Sequence, residues 1–122
     1  MTVRAELKEL MCSNFDLRTY VPSEPDLFGF WIEVEIGVEG QSGADLFQLF
    51  VCSPRWLNRE VREKGAMWEY ARVVIPAYDY LDLRSFVAKT VGAVGGKDWQ
   101  EVVAQLRLLA RWEFEGYTAA AD

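Results

Sequence analysis

The sequence predicts an α+β domain: an antiparallel sheet of about four strands, two C-terminal amphipathic helices packed on one face of it, and a short helix after the third strand. Three observations carry that expectation. Alternation of apolar and polar residues dominates the first half of the chain, helical spacing of apolar residues dominates the second, and a Ser-Pro helix start stands between them.

Taken in order, Val3, Ala5 and Leu7 oppose Arg4, Glu6 and Lys8, which predicts a half-buried strand over Val3 to Met11, suited to an edge. Cys12 to Leu27 holds Pro22 and Pro25 among Ser, Glu and Asp and predicts a long surface loop. From Phe28 to Gly37 the alternation is clean, with Phe28, Phe30, Ile32, Val34 and Ile36 on one face and Trp31, Glu33 and Glu35 on the other. Gly37, Gly40 and Gly43 then suit a hairpin connection. In Ala44 to Ser53 both faces are apolar, which predicts a central strand. Ser53 and Pro54 are suited to the cap and first turn of a helix reaching about Lys64, with Gly65 as its stop. Met67 to Ile75 reads as a fourth strand, ended by Pro76.

After Asp79, the residues Leu83, Phe86, Val87, Thr90, Val91 and Val94 recur at helical spacing, and Gly95 and Gly96 close that helix. Asp98 and Glu101 form a variant capping box for a last helix whose stripe is Trp99, Val102, Val103, Leu106 and Ala110. The segment from Trp112 to Tyr117 is expected to pack back onto the domain.

Composition bounds the function. At 122 residues the chain predicts one domain, 1–122, and its 51% hydrophobic and 14% aromatic content is that of a folded protein. Thirteen Lys and Arg against 19 Asp and Glu give a net charge of −6. That balance argues against direct nucleic-acid binding, which needs clustered cations, and favours a basic partner. Arg4, Glu6, Lys8 and Glu9 interrupt the stretch where a secretory signal needs an apolar run, and no stretch is long and apolar enough for a membrane span. Cys12 and Cys52 make no disulfide framework, so a reducing cytoplasm is the expected location.

Little chemistry is available. The chain has no histidine, which excludes Ser-His and Cys-His hydrolases, and two distant cysteines cannot build a structural zinc site. No enzyme, metal or cofactor is expected. Gly37, Gly40 and Gly43 lack the Gly-Lys-Ser and following helix of a phosphate loop. Glu33 and Glu35 project from one strand face about 7 Å apart, which fits either a solvated face or a partner contact. Asp45 suits a turn former or a binding anion, and Glu39 stands with it beside the glycines. Trp31 shares its strand face with Glu33 and Glu35, so it is a candidate hot spot unless a loop or the C-terminal tail covers it; the other tryptophans are expected in the core or at its boundary.

Four segments carry a resemblance: Asp26 to Phe30 (DLFGF), Glu35 to Gly43 leading to Asp45 and Phe47, Val51 to Leu57 (VCSPRWL), and Trp112 to Tyr117 (WEFEGY). In order and spacing they resemble the immunity 8 family of bacterial polymorphic-toxin immunity proteins. The resemblance implies a protein made beside a secreted or contact-delivered toxin, which it neutralises by direct binding without catalysis. It also implies that Gly37, Gly43, Pro54, Trp56, Leu57, Trp112 and Phe114 serve the fold, with toxin contacts elsewhere. The physical candidates for those contacts are Trp31, Glu33, Glu35, Glu39 and Asp45, facing a basic toxin domain such as a nuclease. The alternative is an adaptor or small-ligand domain whose aromatics line a pocket between sheet and helices.

Overall fold

Alternation along the first three strands closes a meander whose one face is almost dry. The computed structural model describes residues 2–114. Strands β1 (Val3–Met11), β2 (Gly29–Val38) and β3 (Asp45–Cys52) pair antiparallel, with Leu7 opposite Ile36, Ile32 opposite Leu49 and Val34 opposite Phe47. Ile32, Val34, Phe47 and Val51 are all 0% exposed, and this inner face carries the core. The other side is the outer face.

Strict alternation through β1 would turn Glu9 inward and Leu10 outward. A register irregularity between Leu7 and Glu9 prevents it: Leu10 pairs with Val34 and is buried. The carboxylate of Glu9 instead accepts from the Leu10 N–H at 3.2 Å and lies 3.5 Å from Arg18 and 3.7 Å from Arg84.

The sheet departs from the expected four antiparallel strands. Among the described residues it has six, ordered β4-β3-β2-β1-β5 with β6 also on β3, and it curls into a half-barrel. The fourth strand shrinks from Met67–Ile75 to β4 (Arg72–Val74), and it runs parallel to β3. The reason is the connection: the stretch from Ser53 to Ala71 contains α1 (Pro54–Lys64), which makes a crossover long enough to return the chain in the same direction. Ala71, at φ 56°, turns the chain into β4. Strands β5 (Gly95–Gly96) and β6 (Arg111–Trp112) are two residues each, too short for any periodicity to announce them. Gly95 and Gly96 thus do more than end a helix, since they pair with Val3 and Arg4. The expected return of the tail is seen over Arg111 to Glu113, where Glu113 and Leu46 exchange hydrogen bonds of 2.9 Å; Glu115 to Tyr117 lie outside the described residues.

Helices α2 (Tyr80–Gly92) and α3 (Trp99–Leu106) start as the caps predict. Asp79 accepts from the Asp82 N–H at 3.0 Å and Asp98 from the Glu101 N–H at 2.8 Å. Leu83, Val87 and Val91 of α2 and Val102, Val103 and Leu106 of α3 are buried in the same cluster as the inner face, so both helices cover one side of the sheet. Phe86 lies on the α2 stripe yet is 54% exposed.

The loop from Cys12 to Leu27 is held by an aromatic cluster. Phe15 stacks on Tyr20 at 3.9 Å, Phe30 meets both edge-on, Tyr78 meets Tyr20 and Phe30 edge-on, and Phe28 packs against Phe30 and Tyr78, all within 6.0 Å. The Tyr78 hydroxyl donates to the Leu17 carbonyl at 2.6 Å, and burial pushes its pKa up to about 12 from 10.0. A raised phenol pKa gives stability that is complete below pH 10 and is lost as pH rises towards 12, because only the unfolded chain releases the proton in that window. Tyr78→Phe is therefore expected to cost about 1 kcal/mol near neutrality and to flatten the alkaline decline of stability, read by denaturant melts from pH 8 to 12.

Gly37 tests the hairpin between β2 and β3. A Cβ there would overlap the Gly43 carbonyl oxygen, a backbone atom that cannot rotate away. Gly37→Ala is expected to cost about 1–3 kcal/mol. Gly92→Ala, in open space on a helix, should be neutral or stabilising by a few tenths of a kcal/mol in the same melts.

Candidate functional site

With α2 and α3 on the inner face, α1 is the helix that packs on the outer face among the described residues, at one end of it. Ser53 caps this helix through the Trp56 N–H at 3.2 Å, Gly65 ends it at φ 83°, and none of its residues is buried. Its anchor is Trp56, whose indole lies against the Gly29 backbone so closely that no Cβ fits there. This close approach explains the glycine in the middle of an aromatic run, Phe28-Gly29-Phe30.

Register sets out the rest of the face in rows. Trp31, Phe50 and Arg72 are cross-strand neighbours, as are Met11, Glu33, Gln48 and Arg111 in the next row. Trp31 meets Phe50 edge-on at 5.3 Å, and Phe50 meets Trp56 at 4.9 Å. The Arg72 guanidinium sits 4.6 Å from the Phe50 ring centroid and 5.6 Å from that of Trp56, with its Nε 2.6 Å from the Glu69 carboxylate. The stack therefore holds Trp31 from one side while the indole remains 46% exposed. Arg111 lies over its ring at 6.0 Å.

Glu33 and Glu35 stand half-buried beside this tryptophan, and neither carboxylate has a hydrogen bond or ion pair among the described residues. The structure thus brings together Trp31, Glu33 and Glu35. Glu39 is exposed in the turn after β2, where its N–H donates to the Arg4 carbonyl at 2.9 Å. Nearby, the Glu6 carboxyl is held below the usual range by Lys8 and by the Gly40 N–H.

Asp45 stands apart from them. Its pairing with Ile36 puts it on the inner side, where its Oδ2 accepts from the indole N–H of Trp99 at 3.1 Å and of Trp112 at 3.2 Å. One carboxylate oxygen thereby ties the start of α3 and strand β6 to the start of β3.

Sequence reasoning missed Phe50, Trp56, Arg72 and Arg111 as parts of this face. The apolar second side of β3 was the available signal, and it read as burial by a second layer rather than as an aromatic stack under a helix. Arg111 carried none, since it falls in a two-residue strand. Trp68, expected in the core or at its boundary, is 95% exposed in the loop after α1. Cys52 is fully buried and burial raises its thiol pKa, so it is a packing residue; Cys12 donates weakly to the Trp31 carbonyl at 3.5 Å.

A cavity of about 190 Å³ opens between the sheet and the helices, with Val34, Ile36, Leu49 and Leu106 in its wall and Phe86 and Leu109 partly exposed at its edge. Its lining is mostly aliphatic, with Phe86 as its aromatic residue, where the expected pocket was lined by aromatics. Among the described residues no three His, Cys, Asp or Glu side chains gather as a metal cluster, and no helix is long and apolar enough to cross a membrane.

No curated protein and no solved structure matches the chain. A family model described as Immunity protein 8 matches residues 5–117, nearly the whole length, and takes in the Gly29 and Trp56 contact, the hairpin glycines, the Asp45 anchor and the outer-face rows alike. The chain belongs to the immunity protein 8 family, a non-catalytic class of polymorphic-toxin immunity proteins.

Proposed function

We propose that this protein binds and neutralises a cognate toxin domain in the cytoplasm of the producing cell, and that it does so with the outer face of its sheet. Membership of the family implies a cognate toxin partner. The observation that carries the choice of surface is the pairing of an anchored, half-exposed Trp31 with two carboxylates, Glu33 and Glu35, that no group among the described residues satisfies. A rigid aromatic next to unpaired charge is the anatomy of a binding hot spot. Glu39 extends the acidic surface at the end of β2, and Asp45 supports it from behind by fixing β3.

A charge of −6 suits a basic toxin domain, such as a nuclease with a cationic cleft, because complementary fields speed encounter well beyond the roughly 10⁵–10⁶ M⁻¹s⁻¹ of neutral partners. The test is growth of a susceptible host producing the toxin domain encoded next to this gene, with and without this protein, followed by co-purification. Rescue with a stable complex is expected. A toxic domain that is neither bound nor relieved would refute the reading.

One observation favours a second reading, a small-ligand domain: the cavity between sheet and helices, whose volume exceeds the roughly 150 Å³ that admits benzene in an engineered core. A small apolar molecule retained through purification, identified by mass spectrometry, would bring that reading forward.

A further inference from the structure

Arg111 is a cation of the outer sheet face with no acid partner among the described residues. Arg72 is paired with Glu69, Arg55 with Glu24 and Asp26, and Arg18 lies 3.5 Å from Glu9. Arg111 has no carboxylate within ion-pairing distance among the described residues, and its guanidinium rests over the Trp31 indole. Gln48 stands between Arg111 and Glu33 in their row, and the guanidinium turns to the Trp31 ring, 6.0 Å from its centroid, rather than to either carboxylate. The free carboxylates and the free guanidinium therefore bracket Trp31 as separate, unsatisfied charges on one rigid face.

A uniformly basic partner fits this surface badly. Bringing its cations onto Glu33 and Glu35 would press like charge against Arg111 as the interface dries, and such juxtapositions are strongly disfavoured. Resting on the toxin-binding reading above, we infer that the toxin's contact face carries an Asp or Glu that seats on Arg111, beside the basic groups that meet Glu33 and Glu35. A guanidinium offers two parallel N–H donors to a carboxylate, so this contact fixes orientation as well as sign. A toxin rotated by half a turn would set cation on cation and anion on anion. Arg111 is thereby the residue that separates the cognate toxin from other basic domains, which the acidic patch alone would attract equally.

The test uses the toxin domain encoded beside this gene, inactivated at its catalytic residue, as the probe in biolayer interferometry against the full chain. Arg111→Gln is expected to weaken binding about tenfold or more through a faster off-rate, while Glu33→Gln with Glu35→Gln slows the on-rate and lowers the salt dependence. Arg111→Lys, which keeps the charge and loses the fork, should fall between. Thermal melts of each variant are expected to match the wild type. Acidic residues of the toxin are then changed to Lys one at a time, and one such change should restore binding to Arg111→Glu while weakening the wild-type pair. Binding of Arg111→Gln within about twofold of wild type, with the two glutamate changes damaging, would overturn the inference and leave the toxin-binding reading standing. So would failure of every toxin reversal to rescue Arg111→Glu. A wild-type chain that neither binds nor protects against a demonstrably toxic domain would sink both.

Discussion

Asp45→Ala is expected to destabilise this protein by about 2–4 kcal/mol, lowering its melting temperature by roughly 10 °C. The size follows from what one oxygen does. Two indole N–H groups, from Trp99 and Trp112, converge on Oδ2 at 3.1 and 3.2 Å, and hydrogen bonds to a charged acceptor contribute about 1.5–3 kcal/mol each when partly shielded. They share an acceptor, so the sum is less than additive. Alanine leaves both donors without a partner and unties the first residue of α3 and strand β6 from β3, three segments that are distant in sequence. Asp45→Asn keeps a neutral acceptor of the same shape and should lose about half as much. The diagnostic reading is the pair of indole N–H resonances of Trp99 and Trp112, which should move together in both variants. If Asp45 only shaped the turn before β3, those resonances would stay in place and the loss would be a few tenths of a kcal/mol.

The same residue marks the limit of what the chain reveals by inspection. Alternation over Phe28 to Gly37 and over Ala44 to Ser53 is local, and it located β2, β3 and the core positions Ile32, Val34 and Phe47 correctly. Caps are equally local, so Ser53, Asp79 and Asp98 placed three helix starts. Non-local facts left no such trace. The bulge at Lys8 looks in the sequence like an unbroken alternation that merely loses clarity, and the parallel pairing of β4 depends on the path of a crossover rather than on any property of Arg72 to Val74. Asp45 reads as a turn former or a surface anion because its two indole partners stand more than fifty residues away. The outer face was half legible: Trp31, Glu33 and Glu35 share a strand and so a face, whereas Phe50, Trp56, Arg72 and Arg111 join them only through tertiary pairing.

Reversing both free carboxylates, Glu33→Lys with Glu35→Lys, is expected to weaken toxin binding by about a hundredfold or more at low salt while leaving the thermal melt almost unchanged. Binding and stability separate here because neither carboxylate has a hydrogen bond or ion pair among the described residues, so their removal releases no such contact. Two unpaired like charges about 7 Å apart on one strand contribute only mutual repulsion to the free fold. The reversal moves the net charge from −6 to −2, since each substitution adds two, and it places cations where a basic toxin would present its own. Both consequences act on encounter, so the on-rate should fall and its dependence on salt should flatten. Trp31→Ala should act differently, raising the off-rate and costing about 2 kcal/mol of binding with little effect on salt dependence, because it removes packed area rather than charge. Trp56→Ala serves as the contrast: it unseats α1 from Gly29 and Phe50, and its damage should appear in the melt. Unchanged affinity in the double reversal would move the interface off the sheet. Two alternative acidic surfaces are the loop of Ser23, Glu24 and Asp26 and the start of α2 at Asp79 and Asp82. Glu24 and Asp26 are already bound to Arg55, and Asp79 already caps its helix, so a toxin docking there would have to displace contacts the chain makes with itself. Glu33 and Glu35 require no such exchange, which is the energetic reason to expect the toxin on the open face of the sheet.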